Sequence, residues 1–238
     1  EGRGTHYGIS RIRQHIREAS LNWQEPAYAM SLDIRGYFMH INRNILLDIA
    51  VKNLRKMANH KVSPGSNQTW ADILDIDFLC WLSRGIILLD PKLSCKIAGK
   101  SEDWDGLDYN KSLFHTPDGC GLPIGNLTSQ LLSNVYLNEF DQFMKRTLGC
   151  RHYGRYVDDS FVISADHDWL LSIVPAIRSF LLDELGLELH MGKLHVRDIR
   201  EGVEFLGAYL LPWRTYVSNH SLQRMKKKKF LFLEVLKS

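Results

Sequence analysis

Tyr156-Val157-Asp158-Asp159 lies between two short apolar runs, and far upstream Asp33 ends another apolar run that begins at Tyr28. Two adjacent acids at a hairpin tip repel each other, so a fold that keeps them usually has a cation to share. Phosphoryl transfer from a nucleoside triphosphate uses two Mg²⁺ ions ~4 Å apart to activate the attacking hydroxyl and stabilise the leaving oxygens. Mg²⁺ takes a few carboxylates and fills its remaining positions with water and phosphate. One aspartate at a strand end, beside a hairpin carrying two more, supplies this with few protein ligands. Tyr156, Val157, Phe161, Val162 and Ile163 would seat that hairpin in a core. The plainer alternative is a surface Asp-Asp turn, and an aspartate after a strand is common.

A second constellation is GLPIGNLTSQ, residues 121–130. Pro123 and the glycines set a turn where backbone can approach a ligand closely, and Asn126 is placed to cap the helix that follows. A glycine-bearing turn entering a helix N-terminus suits a phosphate or a template backbone, although many loops precede helices this way.

The elements that must position these residues can be read from periodicity. Residues 9–20 predict a helix with Ile9, Ile12 and Ile16 on one face. Tyr28 to Ile34 predicts a strand behind the breaker Pro26. Ile41, Ile45, Leu46, Ile49 and Leu54 repeat at helical spacing, with Asn42 as the cap. Pro64-Gly65 marks a turn in the polar stretch 59–72, a second helix is expected over 72–88, and residues 90–120 read as a loop-rich connection. Leu127, Leu131, Val135, Phe140 and Phe143 mark a long amphipathic helix. Residues 151–164 predict strand, tight turn, strand, with the two aspartates in the turn. Trp169, Ile173, Ile177, Phe180 and Leu181 predict one more helix, and strands are expected over Leu187 to Val196 and Val203 to Leu211. This order predicts an α+β fold, a split βαβ antiparallel sheet with helices on one face.

With 238 residues, 45% of them hydrophobic, the chain can bury a sizeable core. Its net charge of +3 barely favours nucleic acid. Lys226 to Lys229 and the trio Arg11, Arg13 and Arg17 are locally basic, but solvated helix faces produce such runs too. Cys80, Cys95, Cys120 and Cys150 are scattered without a CxxC and read as reduced thiols rather than a zinc site. The ten histidines form no HxxxH or HExxH pair. EGRGTHYG is no signal peptide and no apolar stretch is long enough for a bilayer, so a cytoplasmic protein without a membrane partner is expected.

Together these pieces resemble a reverse transcriptase. SLDIRGYF is similar to the family's first catalytic motif, GLPIGNLTSQ to its nucleotide and template loop, and GRYVDDSFVI to its YxDD hairpin. LHMGKLHV and EFLGAYL resemble the lysine-bearing segment and the primer-grip strand, and the order holds over residues 30–210. Within the family, IGNLTSQ, GRGTH near the N-terminus and KSLF over 111–114 most resemble diversity-generating retroelement enzymes. Group II intron relatives and defence-associated bacterial reverse transcriptases share parts of the pattern.

The resemblance implies a polymerase palm with partial fingers, and an RNA-directed DNA polymerase adding deoxynucleotides to a primer 3′ end with two Mg²⁺ ions, Mn²⁺ being a substitute. It implies Asp33, Asp158 and Asp159 as metal ligands, joined by the Ile34 carbonyl, and Lys193 as a proton donor to the leaving pyrophosphate, unless it is a solvated strand lysine. Arg35, Gly36, Tyr37, Phe38, Ile124 and Gly125 would meet the nucleotide. Among them Phe38 falls where the family keeps a steric gate against a 2′-hydroxyl, with a core phenylalanine as the alternative. Ile124 stands where glutamine is usual, which implies weaker geometric selection. Phe205-Leu206-Gly207 would place the primer terminus, though a buried strand explains these residues almost as well. Implied partners are an RNA template, a DNA or RNA primer, dNTPs and a small basic accessory protein. The expected organisation is a residual fingers segment over 1–27, a palm over 28–211 with an inserted connection at about 58–120, and the start of a basic helical thumb over 212–238. On this reading the chain is a piece of a longer reading frame.

Overall fold

The computed structural model describes residues 4–93, 95, 102, 106, 112–219 and 221–226. In chain order they form α1 (Thr5–Ala19), β1 (Tyr28–Leu32), α2 (Tyr37–His40), α3 (Arg43–Ala58), α4 (Ile76–Leu88), α5 (Leu127–Gln142), β2 (His152–Tyr156) and β3 (Asp159–Ser164). Next come α6 (His167–Ser172), α7 (Val174–Leu185), β4 (His195–Asp198), β5 (Val203–Phe205), β6 (Ala208–Leu210) and β7 (Thr215–Val217). The mixture of helix with antiparallel sheet is the α+β class expected. The described residues fall into two compact units: one from Glu1–Asp33, Met144–Pro175 and His190–Ser238, the other from Ile34–Phe143 and Ala176–Leu189.

In the first unit a four-stranded sheet runs β2-β3-β1-β4, every pairing antiparallel. Phe161, Val162 and Ile163 of β3 are all buried, so this strand is covered on both faces and reads as a continuous apolar run. α1 supplies Ile12 and Ile16, fully buried against Ala29, Phe161, Ile163 and Phe205. Each such side chain contributes about 1.5–3 kcal/mol when removed from water. Gly154 of β2 lies opposite Phe161, whose ring covers it so closely that a Cβ would meet Cζ at 2.5 Å. A separate three-stranded sheet, β5-β6-β7, follows.

The second unit is helical. α3 starts where expected, because the Asn42 side chain accepts from the Asn44 and Ile45 N–H groups. Asp75 caps α4 in the same way through Phe78. The buried Arg43 guanidinium donates to the Leu89 carbonyl at 3.0 Å and pairs with Asp90 at 3.4 Å, fastening the end of α4 to the start of α3. Tyr136 of α5 is fully buried and its hydroxyl donates to the Leu185 carbonyl.

Several expectations fail, each for a physical reason. The strand expected over Val203 to Leu211 is a hairpin: Leu206 (φ 51°) and Gly207 (φ 77°) both adopt positive φ, as a type I′ turn requires. The helix expected from Trp169 to Leu181 is interrupted at Ile173, because Pro175 has no N–H to continue the ladder. In place of a strand over Leu187 to Val196 there is an isolated bridge at Leu189, a short 3₁₀ turn over Met191–Lys193 and β4 from His195. On α5 the expected face is wrong at its start. Leu127 and Leu131 are exposed, while Ser129, Ser133, Tyr136, Leu137 and Phe140 are buried. Asn126 occupies the cap position of α5 but its side chain makes no capping hydrogen bond. Residues 221–226 are helical. Lys227 to Lys229, Lys111, Gly2 and Arg3, and most of 94–111 lie outside the described residues. Among the described residues no helix is long and apolar enough to cross a membrane.

Candidate active site

The register of the sheet builds the acidic cluster. Leu32 of β1 pairs with Ser160 of β3, so one step further along the ladder brings Asp33 level with Asp159. Tyr156 pairs with Asp159, leaving Val157 and Asp158 as a two-residue hairpin turn. Val157 has φ 59°, a conformation that β-branched residues rarely adopt. The Arg155 guanidinium donates to its carbonyl at 2.6 Å and helps hold it there. The three expected carboxylates thus share one corner of the first unit.

The electrostatics match the crowding. Burial, followed by the charge of Asp33, pushes the Asp158 carboxyl above its ordinary range. Asp159 keeps solvent contact at the rim, yet desolvation, then Asp158 and Asp33, push it up to about 6. Lys193 opposes both shifts. Its Nζ lies 2.9 Å from Asp33 Oδ2, and the Asp33 carbonyl accepts the His190 N–H at 2.8 Å, so the 190–193 turn is tied to the end of β1 twice. The donor set consists of carboxylate oxygens, which suits a hard cation such as Mg²⁺ or Mn²⁺. Three crowded acids, two of them hard to ionise, are what a divalent cation would relieve.

A cleft runs from this corner along the sheet. Asp33, Asp159 and Lys193 line it together with His195, Arg197 and the turn at Leu206-Gly207. Phe205 is itself core, edge-on to Phe161 with ring centres 5.0 Å apart, while Leu206 and Gly207 are half-buried. Sequence reasoning missed His195 and Arg197. Their period-two spacing on β4 puts both on one exposed face, a signal hidden by the misplaced strand.

The remaining expected residues belong to the second unit. Ile34 is buried and bridges Leu189. Arg35 pairs with Glu188 at 3.5 Å, both largely exposed. Gly36 takes φ 53° and leads into α2. Tyr37 is buried with its hydroxyl donating to the Ser133 carbonyl at 2.6 Å, and the half-buried Phe38 packs edge-on against it, centroids 5.3 Å apart. The Phe38 carbonyl accepts the Leu122 N–H at 2.8 Å, which ties the GLPIGN loop to α2. In that loop Ile124 is 68% exposed and Gly125 adopts φ 98°.

Residues 3–210 match the family model described as reverse transcriptase (RNA-dependent DNA polymerase). No curated protein matches the sequence significantly. Among solved structures the chain is similar to apo telomerase from Candida tropicalis truncated from its C-terminal domain, at 14% identity and TM-score 0.60, covering 90% of this chain and 40% of that one. It is similar to apo telomerase from the same organism at 13% identity and TM-score 0.56, covering 90% and 36%. A third match is telomerase from Candida albicans in complex with a fragment of telomeric RNA, at 12% identity and TM-score 0.55, covering 88% and 33%. The chain thus spans well under half the length of these neighbours, and at such identities the likeness concerns the fold.

Proposed function

Because the chain belongs to the reverse transcriptase (RNA-dependent DNA polymerase) family, we propose that it works as an RNA-directed DNA polymerase, extending a DNA or RNA primer on an RNA template with dNTPs. The observation that carries this reading is the convergence of Asp33, Asp158 and Asp159 at one corner of an antiparallel sheet, with Asp159 raised to about 6. These acids, with the Ile34 carbonyl, would hold two Mg²⁺ ions, Mn²⁺ substituting, which supply Lewis-acid activation of the primer hydroxyl and stabilise the leaving oxygens.

The chain's own side chains do the rest. Lys193, paired with Asp33, exchanges that carboxylate for triphosphate oxygens and protonates the departing pyrophosphate. Arg35 releases Glu188 to contact the triphosphate. Phe38, backed by Tyr37, presents its ring to the sugar and rejects a 2′-hydroxyl, with Gly36 giving the backbone its turn. Ile124 and Gly125 lie against the base pair without a side-chain hydrogen bond to it, which relaxes selection. The Phe205-Leu206-Gly207 turn steers the primer end along the cleft, and Arg197 and His195 steady its backbone.

The same reading divides the chain into a fingers segment over 1–27, a palm over 28–211 with an inserted connection at about 58–120, and a thumb segment over 212–238. It sets the enzyme in a cytoplasmic diversity-generating retroelement with a small basic accessory protein. The IGNLTSQ loop supports this setting over a group II intron or defence role. The test is Mg²⁺-dependent dNTP incorporation on a primed RNA template, comparing this chain with Asp158→Ala. Loss of incorporation in the variant alone supports the polymerase. Silence from both, persisting in a longer form of the protein, would leave a nucleic-acid-binding module.

A further inference from the structure

Outside the aspartate cluster, the first unit gathers a second set of metal-ligating groups. His15 and Glu18 lie one turn apart on α1, and His152 opens β2. The two Nδ1 atoms are 3.4 Å apart, His152 Nδ1 is 3.5 Å from Glu18 Oε2, and His15 Nδ1 is 3.9 Å from the same oxygen. His15 is 8% exposed, so its imidazole is fixed by packing. We infer that His15, Glu18 and His152 form a binding site for a divalent cation of the zinc class, with one coordination position left to water.

The geometry carries this. The point equidistant from the three atoms lies ~2.1 Å from each, which is the Zn–N bond length and close to that of Zn–O. A tetrahedral ion with such bonds keeps its ligands ~3.3–3.4 Å apart, so the His15–Glu18 separation of 3.9 Å must close by about half an ångström while the other two are nearly met. Two imidazoles and a carboxylate select zinc over Mg²⁺, which prefers all-oxygen sites. Burial holds both imidazoles below their ordinary range, and for His15 the neighbouring Arg11 adds to this, so neither ring has to give up a charge before binding an ion. Glu18 and His152 also line a shallow pocket with Gly149, Arg151 and Trp169, which gives the fourth position access to water. Gln14 donates to Glu18 Oε1 at 2.7 Å, leaving Oε2 for the ion.

One contact opposes the site. Arg11 reaches His15 Nε2 at 3.4 Å, and that hydrogen bond needs the tautomer whose Nδ1 carries the proton. Ion binding at Nδ1 therefore turns Arg11 away, and Arg11→Gln should bind the ion at least as tightly as the wild type. An ion here ties α1 to β2, the strand that runs into the Val157-Asp158 turn.

The experiment uses the full chain without a histidine tag, stripped of metal and held in excess Mg²⁺. Zinc is titrated calorimetrically into the wild type, Glu18→Gln, His152→Gln and Arg11→Gln. One ion per chain is expected, bound at least tenfold more weakly by Glu18→Gln and by His152→Gln, since even loss of a supporting partner costs 10–100-fold. Zinc should also raise the wild-type Tm and leave that of Glu18→Gln unchanged. The Glu18 side chain is 46% exposed and Gln keeps its shape, so the variant keeps the fold. No zinc binding by the wild type, or binding by both ligand variants as tight as the wild type's, overturns the proposal. The readout is independent of polymerase activity.

Discussion

The ammonium of Lys193 sits 2.9 Å from Asp33 Oδ2, pairing the cation of one site segment with the first carboxylate of another. Lys193 is 60% exposed and Asp33 22%, so the pair contributes at most about 1 kcal/mol to folding. If Lys193 instead serves the pyrophosphate, its loss falls on the rate. Lys193→Met is expected to slow single-nucleotide incorporation by about 10²–10⁴-fold while unfolding free energy shifts by under about 1 kcal/mol. Equal kinetics for variant and wild type would reduce Lys193 to a solvated lysine of the Met191–Lys193 turn.

Asp159 gives a pH signature. Its carboxyl is raised in the folded state to about 6, so the native state holds this proton more tightly than the unfolded chain does. That contribution is fully present below the unfolded value near 3.8 and is lost as pH rises through about 6. In EDTA, Asp159→Asn should therefore raise Tm at pH 7.5 and bring little change at pH 4. Added Mg²⁺ should narrow the gap at pH 7.5 by stabilising the wild type more. A Tm gain equal at both pH values would remove the electrostatic explanation.

Gly154 allows the Phe161 ring to cover β2. Phe161 is 3% exposed and cannot retreat, and a Cβ at 154 would meet its ring at 2.5 Å. Gly154→Ala is expected to cost about 1–3 kcal/mol in urea denaturation and to weaken the hairpin that carries Asp158. A cost under a few tenths of a kcal/mol would show that the ring has room.

Phe38 is half-buried against Tyr37, leaving part of its ring free. Phe38→Ala should raise ribonucleotide incorporation relative to deoxynucleotide incorporation, measured as a ratio of kcat/KM values. A purely structural phenylalanine would lower both together.

Ile124, 68% exposed, can be changed at little cost in stability, within about 0.5 kcal/mol. Ile124→Gln is expected to lower misincorporation in sequenced extension products. An unchanged error spectrum would uncouple this position from fidelity.

The sequence alone determined the features that depend on local order. The two short apolar runs that flank Asp158-Asp159 specify a hairpin, Asn42 specifies where α3 begins, and Asp33 at the end of β1 stands out as an acid following an apolar run. Spacing along one strand or helix is enough to read these, because each rests on neighbours a few residues away. Tertiary structure decided what depends on partners distant in the chain. The Leu32–Ser160 register brings Asp33 level with Asp159, and β4 places His195 and Arg197 in their cleft. Packing also chose which face of α5 to bury, covering Ser129 and Ser133 while Leu127 and Leu131 stay outside, a choice that periodicity along the helix does not carry. His15 and His152 show no metal spacing in the sequence, and their Nδ1 atoms meet at 3.4 Å only after α1 packs on β2.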